Sequence, residues 1–128
     1  MTGKTKKTKR SLEVRKPPRD AFIRRVALSL PGASETYYKG PRYGVGTPAF
    51  VHGWTGETLW LFKLPDHQSM MLFDTRPQTF TPMRSGLMRW CYIDVRNLDA
   101  AELRDLIVAA WRTVAPKKAV KAFDGGGR

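Results

Sequence analysis

A chain of 128 residues that is 41% apolar and 11% aromatic has the material for one hydrophobic core, which excludes a wholly disordered protein and leaves no room for two ordinary domains. Its formal charge of +12 makes attraction to polyanions the electrostatic default, but the charge is uneven: residues 1–19 carry eight basic side chains against Glu13, residues 116–128 carry four against Asp124, and the stretch between them holds 11 basic and 9 acidic groups. One cysteine, Cys91, excludes an internal disulfide and a Cys-rich zinc site, and no run has the roughly 18 apolar residues of a membrane span or the core of a secretory signal, so a cytoplasmic protein is expected.

Residues 1–17 read as a disordered basic leader, since Leu12 and Val14 are the only large aliphatics after Met1. Phe22, Ile23, Val26, Ala27 and Leu30 then recur at helical spacing, with Arg24 and Arg25 on the opposite side, which predicts a helix over 18–29 stopped by Pro31-Gly32. The segment "GASETYYKGPRYGVGTP" is rich in Gly, Pro and Tyr and reads as irregular chain with one short strand near Tyr37-Tyr38. Two apolar runs follow, Ala49 to His52 and Thr58 to Leu64, flanking Gly53 and Gly56 as an antiparallel hairpin would. In the second run Leu59, Leu61 and Lys63 share one face and Trp60, Phe62 and Leu64 the other, so one of the two faces must meet the core. Asp66 suits the cap of a short helix, "DHQSMMLFD", that ends before Arg76-Pro77. A brief strand is expected over Phe80 to Met83 and a better one in "MRWCYIDV" from Met88. Asp99 with Glu102 three residues on resembles a capping box, and Leu103, Leu106, Ile107, Ala110, Trp111 and Val114 form the stripe of a helix that Pro116 ends. A flexible tail is expected over 124–128. A helix at each end of an antiparallel sheet implies an α+β, two-layer sandwich with the N- and C-terminal helices packed on one face.

Few residues suggest reaction chemistry. Gly3-Lys4-Thr5 lacks the first glycine and the strand of a phosphate-binding loop, and Gly44-Val45-Gly46-Thr47-Pro48-Ala49 is followed by a strand-like run where a dinucleotide site needs a helix. Asp66, His67 and Ser69 lie too close on one short helix to converge as a triad. His52 and His67 alone predict no metal site, and Cys91 reads as a buried small hydrophobe. Trp60, Trp90 and Trp111 read as core. What is left is a scatter of basic and aromatic groups: Lys39, Arg42 and Tyr43 in the Gly/Pro-rich segment, Trp54 at the hairpin tip, Lys63 in the central strand, and Arg84, Arg89 and Trp90 around the last strand. Such pairs suit nucleic acid, the charges meeting phosphates and the rings stacking on bases or wedging grooves.

From Asp20 to Phe123 the chain resembles the MmcQ/YjbR-like family, through "LSLPGASE", "GTPAFVHG", "LWLFKLPD", "RPQTFTP", "RWCYIDV" and "ELRDLIVAAWRTVAPKK" in that order and spacing. The resemblance implies one domain over 18–123, an α+β fold like that of the bacterial frataxin CyaY, and DNA binding by a double-wing arrangement of hairpins without catalysis. Lys63 and Trp90 match a lysine and a tryptophan usual in the family. Where many members have His-Tyr after "TFTP", this chain has Met83-Arg84. Frataxin-type iron binding is disfavoured: the first helix offers only Asp20 as an oxygen ligand, beside Arg19, Arg24 and Arg25.

The expected function is therefore non-enzymatic DNA binding, with DNA favoured over RNA and no cofactor, metal or membrane involved. Lys4, Lys6, Lys7, Lys9 and Arg10 would supply largely nonspecific phosphate attraction, while a hairpin wing around Gly53 to Gly56, with Lys39, Arg42, Trp54, Lys63, Arg84 and Arg89, would orient the duplex. The alternative is a small-ligand or protein-interaction module using a cleft near Tyr37, Tyr43 and Trp54.

Overall fold

The first helix, α1 (Asp20–Leu28), forms where the apolar spacing places it, with Ile23, Val26 and Ala27 buried and Arg24 and Arg25 in solvent. The computed structural model describes residues 16–83 and 90–126. Two tryptophan N–H groups secure the chain on either side of α1: Trp60 Nε1 donates to the Pro18 carbonyl at 2.8 Å, and Trp111 Nε1 donates to the Pro31 carbonyl at 3.0 Å. A buried indole needs such an acceptor, and here the acceptors come from backbone just outside a helix. Arg19, at φ +63°, donates through its guanidinium to the carbonyls of Val95 (3.0 Å) and Leu98 (2.8 Å), which holds it in a left-handed conformation that L-residues otherwise avoid.

Six strands form one antiparallel sheet: β1 (Ala33–Tyr37), β2 (Pro41–Val45), β3 (Ala49–Gly53), β4 (Trp60–Lys63), β5 (Phe80–Pro82) and β6 (Trp90–Ile93), in the spatial order β1-β2-β3-β4-β6-β5. The segment expected to be irregular is in fact the β1–β2 hairpin. Its glycine and proline mark only the turn: Lys39 (φ +58°) and Gly40 (φ +154°) reverse the chain, and Pro41 begins β2, a strand position where proline is tolerated. Between Tyr43 and Gly44 the pairing with β3 slips by one residue, and Phe50 and Val51 are both wholly buried.

Pairing settles which face of β4 is core. Tyr43, Val51, Phe62 and Cys91 stand opposite one another across four strands, Trp60 stands beside Ile93 and Phe80, and all seven are at most 1% exposed. Helix α3 (Ala100–Val114) covers this side together with α1, burying Leu103, Leu106, Ile107, Ala110 and Trp111. The Asp99 carboxylate accepts from the Glu102 N–H at 2.8 Å, but the other half of the expected capping box is absent because the Glu102 carboxylate pairs with Arg76. In α2 (Asp66–Thr75) Asp66 is the first helical residue and Pro65 the cap, so the expected Asp66 cap does not form. A fourth helix, α4 (Lys117–Gly126), follows Pro116 and reaches into the residues expected as a tail. Phe123 packs on Trp111 with ring centroids 5.1 Å apart, and Arg112 pairs with Asp124 at 2.6 Å.

The whole is an α+β sandwich of one sheet and one helical layer. Among the described residues no helix is long and apolar enough to cross a membrane.

Candidate nucleic-acid interface

Strand alternation that sends Tyr43, Val51, Phe62 and Cys91 inward sends their neighbours outward. Arg42, His52, Leu61 and Tyr92 pair in one row across β2, β3, β4 and β6, and Lys63 pairs with Trp90 in the adjacent row. Neighbouring strands lie about 4.8 Å apart, so the four strands span roughly 15 Å. The result is a basic and aromatic strip on the sheet face away from α1 and α3.

A concavity of about 330 Å³ on this face is lined by Tyr38, Arg42, His52, Trp54 and Trp90, floored by Ala49 and Leu61, and bordered by Met83. Trp54 also lines a neighbouring concavity of about 400 Å³ with Lys39, Leu59 and Tyr92, where Glu57 is the acidic member. The indole residue thus borders both. One side of it is supported by His52, whose ring lies 4.2 Å away at 32°, and Tyr38 meets it edge-on at 6.2 Å. His52 is 8% exposed and its Nε2–H donates to the Tyr38 carbonyl at 3.1 Å; burial holds its pKa below the usual histidine value, and the Arg42 charge adds to this. The imidazole is thus neutral at pH 7 and stacks without bringing a competing cation.

The cations of the face sit with its rings. The Lys39 ammonium lies 5.4 Å from the Tyr38 ring centroid and that of Lys63 lies 6.0 Å from the Trp90 centroid. Among the described residues the ion pairs are Arg24–Glu35, Arg76–Glu102, Arg96–Asp94 and Arg112–Asp124, and none includes Lys39, Arg42 or Lys63. The near-balanced charge of the body is therefore not evenly neutralised, and its unpaired positive groups include three on one face.

All four sequence candidates within the described residues thus come together: Arg42 and Trp54 line the first concavity, while Lys39 and Lys63 hold their charges over two of its rings. Lys4, Lys6, Lys7, Lys9, Arg10, Arg84 and Arg89 lie outside the described residues, although segment 84–89 joins Met83 to Trp90, both on the rim. One expectation changes. Trp90 is half-buried on the open face and does not join Trp60 and Trp111 in the core. The tip of the β3–β4 hairpin is tied to the β1–β2 turn: Thr55 N–H donates to the Lys39 carbonyl at 2.8 Å, the Tyr37 and Thr55 hydroxyls bond at 2.7 Å, and Gly40 lies so close under the tip that a Cβ there would sit 2.1 Å from the Gly53 carbonyl oxygen. Sequence reading missed Tyr38, His52 and Tyr92 as members of the strip. The alternation His52/Trp54, Leu61/Lys63 and Trp90/Tyr92 carries that signal once the buried face is known.

On the helical side a larger concavity, about 550 Å³, is lined by Lys16, Asp20, Arg24, Glu35, Tyr37 and Pro41 among others. Two of its charges are paired: Arg24 pairs with Glu35 at 3.2 Å, and the buried Tyr43 hydroxyl donates to the same carboxylate at 2.9 Å. Tyr37, Tyr43 and Trp54 do not share a cleft, since Tyr37 lines this side, Trp54 lines the other and Tyr43 is wholly in the core. His67 is exposed and Ser69 buried on α2. Cys91 is enclosed in the core, and burial pushes its thiol up to about 12, far from a nucleophile. Among the described residues no group of three or more His, Cys, Asp or Glu could hold a metal ion.

No family model and no curated protein matches the chain. Among solved structures the fold is similar to that in the crystal structure of Deinococcus radiodurans protein DR2400, which carries the family-model domain DUF419, the MmcQ/YjbR family. The TM-score is 0.66, and the match covers 81% of this chain and 82% of that one. At 17% identity, this likeness establishes a shared fold.

Proposed function

We propose that the protein is a cytoplasmic, non-enzymatic DNA-binding member of the MmcQ/YjbR family and that it holds DNA on the open face of its sheet. The observation that carries this reading is the placement of Lys39, Arg42 and Lys63, none of them in an ion pair among the described residues, beside Tyr38, Trp54 and Trp90 on one strip. Cations beside aromatic faces supply both parts of nucleic-acid attachment, phosphate neutralisation and ring contact with bases. The basic leader, including Lys4, Lys6, Lys7, Lys9 and Arg10, adds long-range attraction of any polyanion and raises the association rate.

Fluorescence anisotropy with a labelled DNA, using the full chain at 50 and 200 mM salt, separates the face from the leader. Arg42→Ala and Lys63→Ala should each weaken binding roughly fivefold and lower the slope of log affinity against log salt by about 1. An unchanged affinity and slope in the double variant would remove the open face from the reading.

A further inference from the structure

Resting on that reading, we infer that the strand held on the open face is unpaired: the site is built for single-stranded DNA. A duplex offers its bases only as edges at the bottom of grooves, and reading them takes an element that protrudes, such as a helix or a two-stranded ribbon entering the major groove. The β3–β4 turn is tied down to the β1–β2 turn through Thr55, Lys39 and Tyr37, with Gly40 packed beneath it. Among the described residues the face presents a shallow strip of side chains lying across strands, and no projecting edge.

That strip suits unpaired bases. Trp54 lines two concavities of about 330 and 400 Å³, so a base can be held beside the indole on the side that His52 leaves open. His52 backs the indole at 4.2 Å and is itself fixed by its bond to the Tyr38 carbonyl, so the ring is set before a base arrives. Trp90 and Tyr92 lie on β6, three strands from Arg42 on β2, and offer further ring surface. Lys39, Arg42 and Lys63 are distributed along the strip, as expected where phosphates follow successive bases. Glu57, at the edge of the second concavity, is the acidic side chain lining it and would face away from the backbone path or towards a base donor.

The test uses the full chain at 150 mM salt with one labelled oligonucleotide of about 20 nucleotides, alone and annealed to its complement. The single strand should bind at least tenfold more tightly than the duplex. Trp54→Ala should weaken single-strand binding about tenfold, the order expected from losing one stacked base, while leaving duplex binding within twofold; Trp54→Phe, which keeps a ring, should retain most of the affinity. Far-UV circular dichroism confirms that each variant is folded. Equal binding of the two forms, or equal weakening of both by Trp54→Ala with Arg42→Ala also weakening both, would overturn single-strand selection and leave the open face as a DNA site. Indifference of both forms to Trp54→Ala, Arg42→Ala and Lys63→Ala would overturn the site itself.

Discussion

The helix-side concavity and the open face lie on opposite sides of β2, and consecutive residues of that strand serve them differently. Tyr43 turns inward and gives its hydroxyl to Glu35, which also holds Arg24; Arg42 turns outward and meets no carboxylate among the described residues. On the helical side Arg24 is thus committed to Glu35, while the hollows of the open face carry Lys39 and Arg42, in no ion pair among the described residues, beside ring surface. Unpaired positive charge beside ring surface is what a polyanion with bases would gain from most, which is why the proposed site is placed there.

The largest effect that distinguishes the two sides is on stability. Trp60→Ala, on the helical side, removes a wholly buried indole and its 2.8 Å bond to Pro18 and should cost about 3–5 kcal/mol in urea unfolding. Trp90→Ala, on the open side, removes a half-buried ring and should cost about 1 kcal/mol. Equal losses would mean that the open face is as much core as the other. Binding should run the opposite way: Trp60→Phe should leave DNA affinity within twofold.

Smaller effects should follow the charges. Arg42→Gln should weaken DNA binding roughly fivefold, whereas Arg24→Gln, which removes a cation already committed to Glu35, should change it less than twofold. Anisotropy titrations at one salt concentration compare them, and a larger effect from Arg24→Gln would move the site to the helical side. Tyr43→Phe should leave binding unaltered and cost about 1 kcal/mol of stability for the lost Glu35 bond, read from the shift in urea midpoint.

The fold was largely legible in the sequence and the strip was not, for a physical reason seen in β6. In "WCYI" every residue is apolar or aromatic, so period-2 alternation separates Trp90 and Tyr92 from Cys91 and Ile93 without saying which pair faces the helices. Only pairing with β4, where Trp60 and Phe62 are buried and Lys63 is not, decides it. Helix α3 was readable because a cap residue and a six-member apolar stripe agree. Helix α4 was hidden behind Pro116, read as a stop although proline also precedes helices; Ala119, Val120 and Phe123 against Lys117, Lys118 and Lys121 were the available signal. The β1–β2 hairpin was obscured because its turn residues dominate a short segment.

The smallest predicted effect uses pH to compare the two sides. His52, on the open face, has its pKa lowered chiefly by burial, so between that value and the ordinary 6.5 the unfolded chain binds a proton that the folded chain refuses. Stability from this group is intact above pH 6.5 and declines as pH falls through that range. Asp20, on the helical side, has its pKa raised, again chiefly by burial, so from 3.8 up to its folded value the folded chain binds the extra proton and stability falls as pH rises. The two contributions have opposite signs. Urea midpoints of the full chain at pH 7.5 and 5.5 should therefore show a fall that His52→Gln abolishes and Asp20→Asn leaves in place. A fall retained by His52→Gln would mean that the imidazole behind Trp54 accepts a proton freely, and the neutral support for that ring would be lost as an explanation of its position.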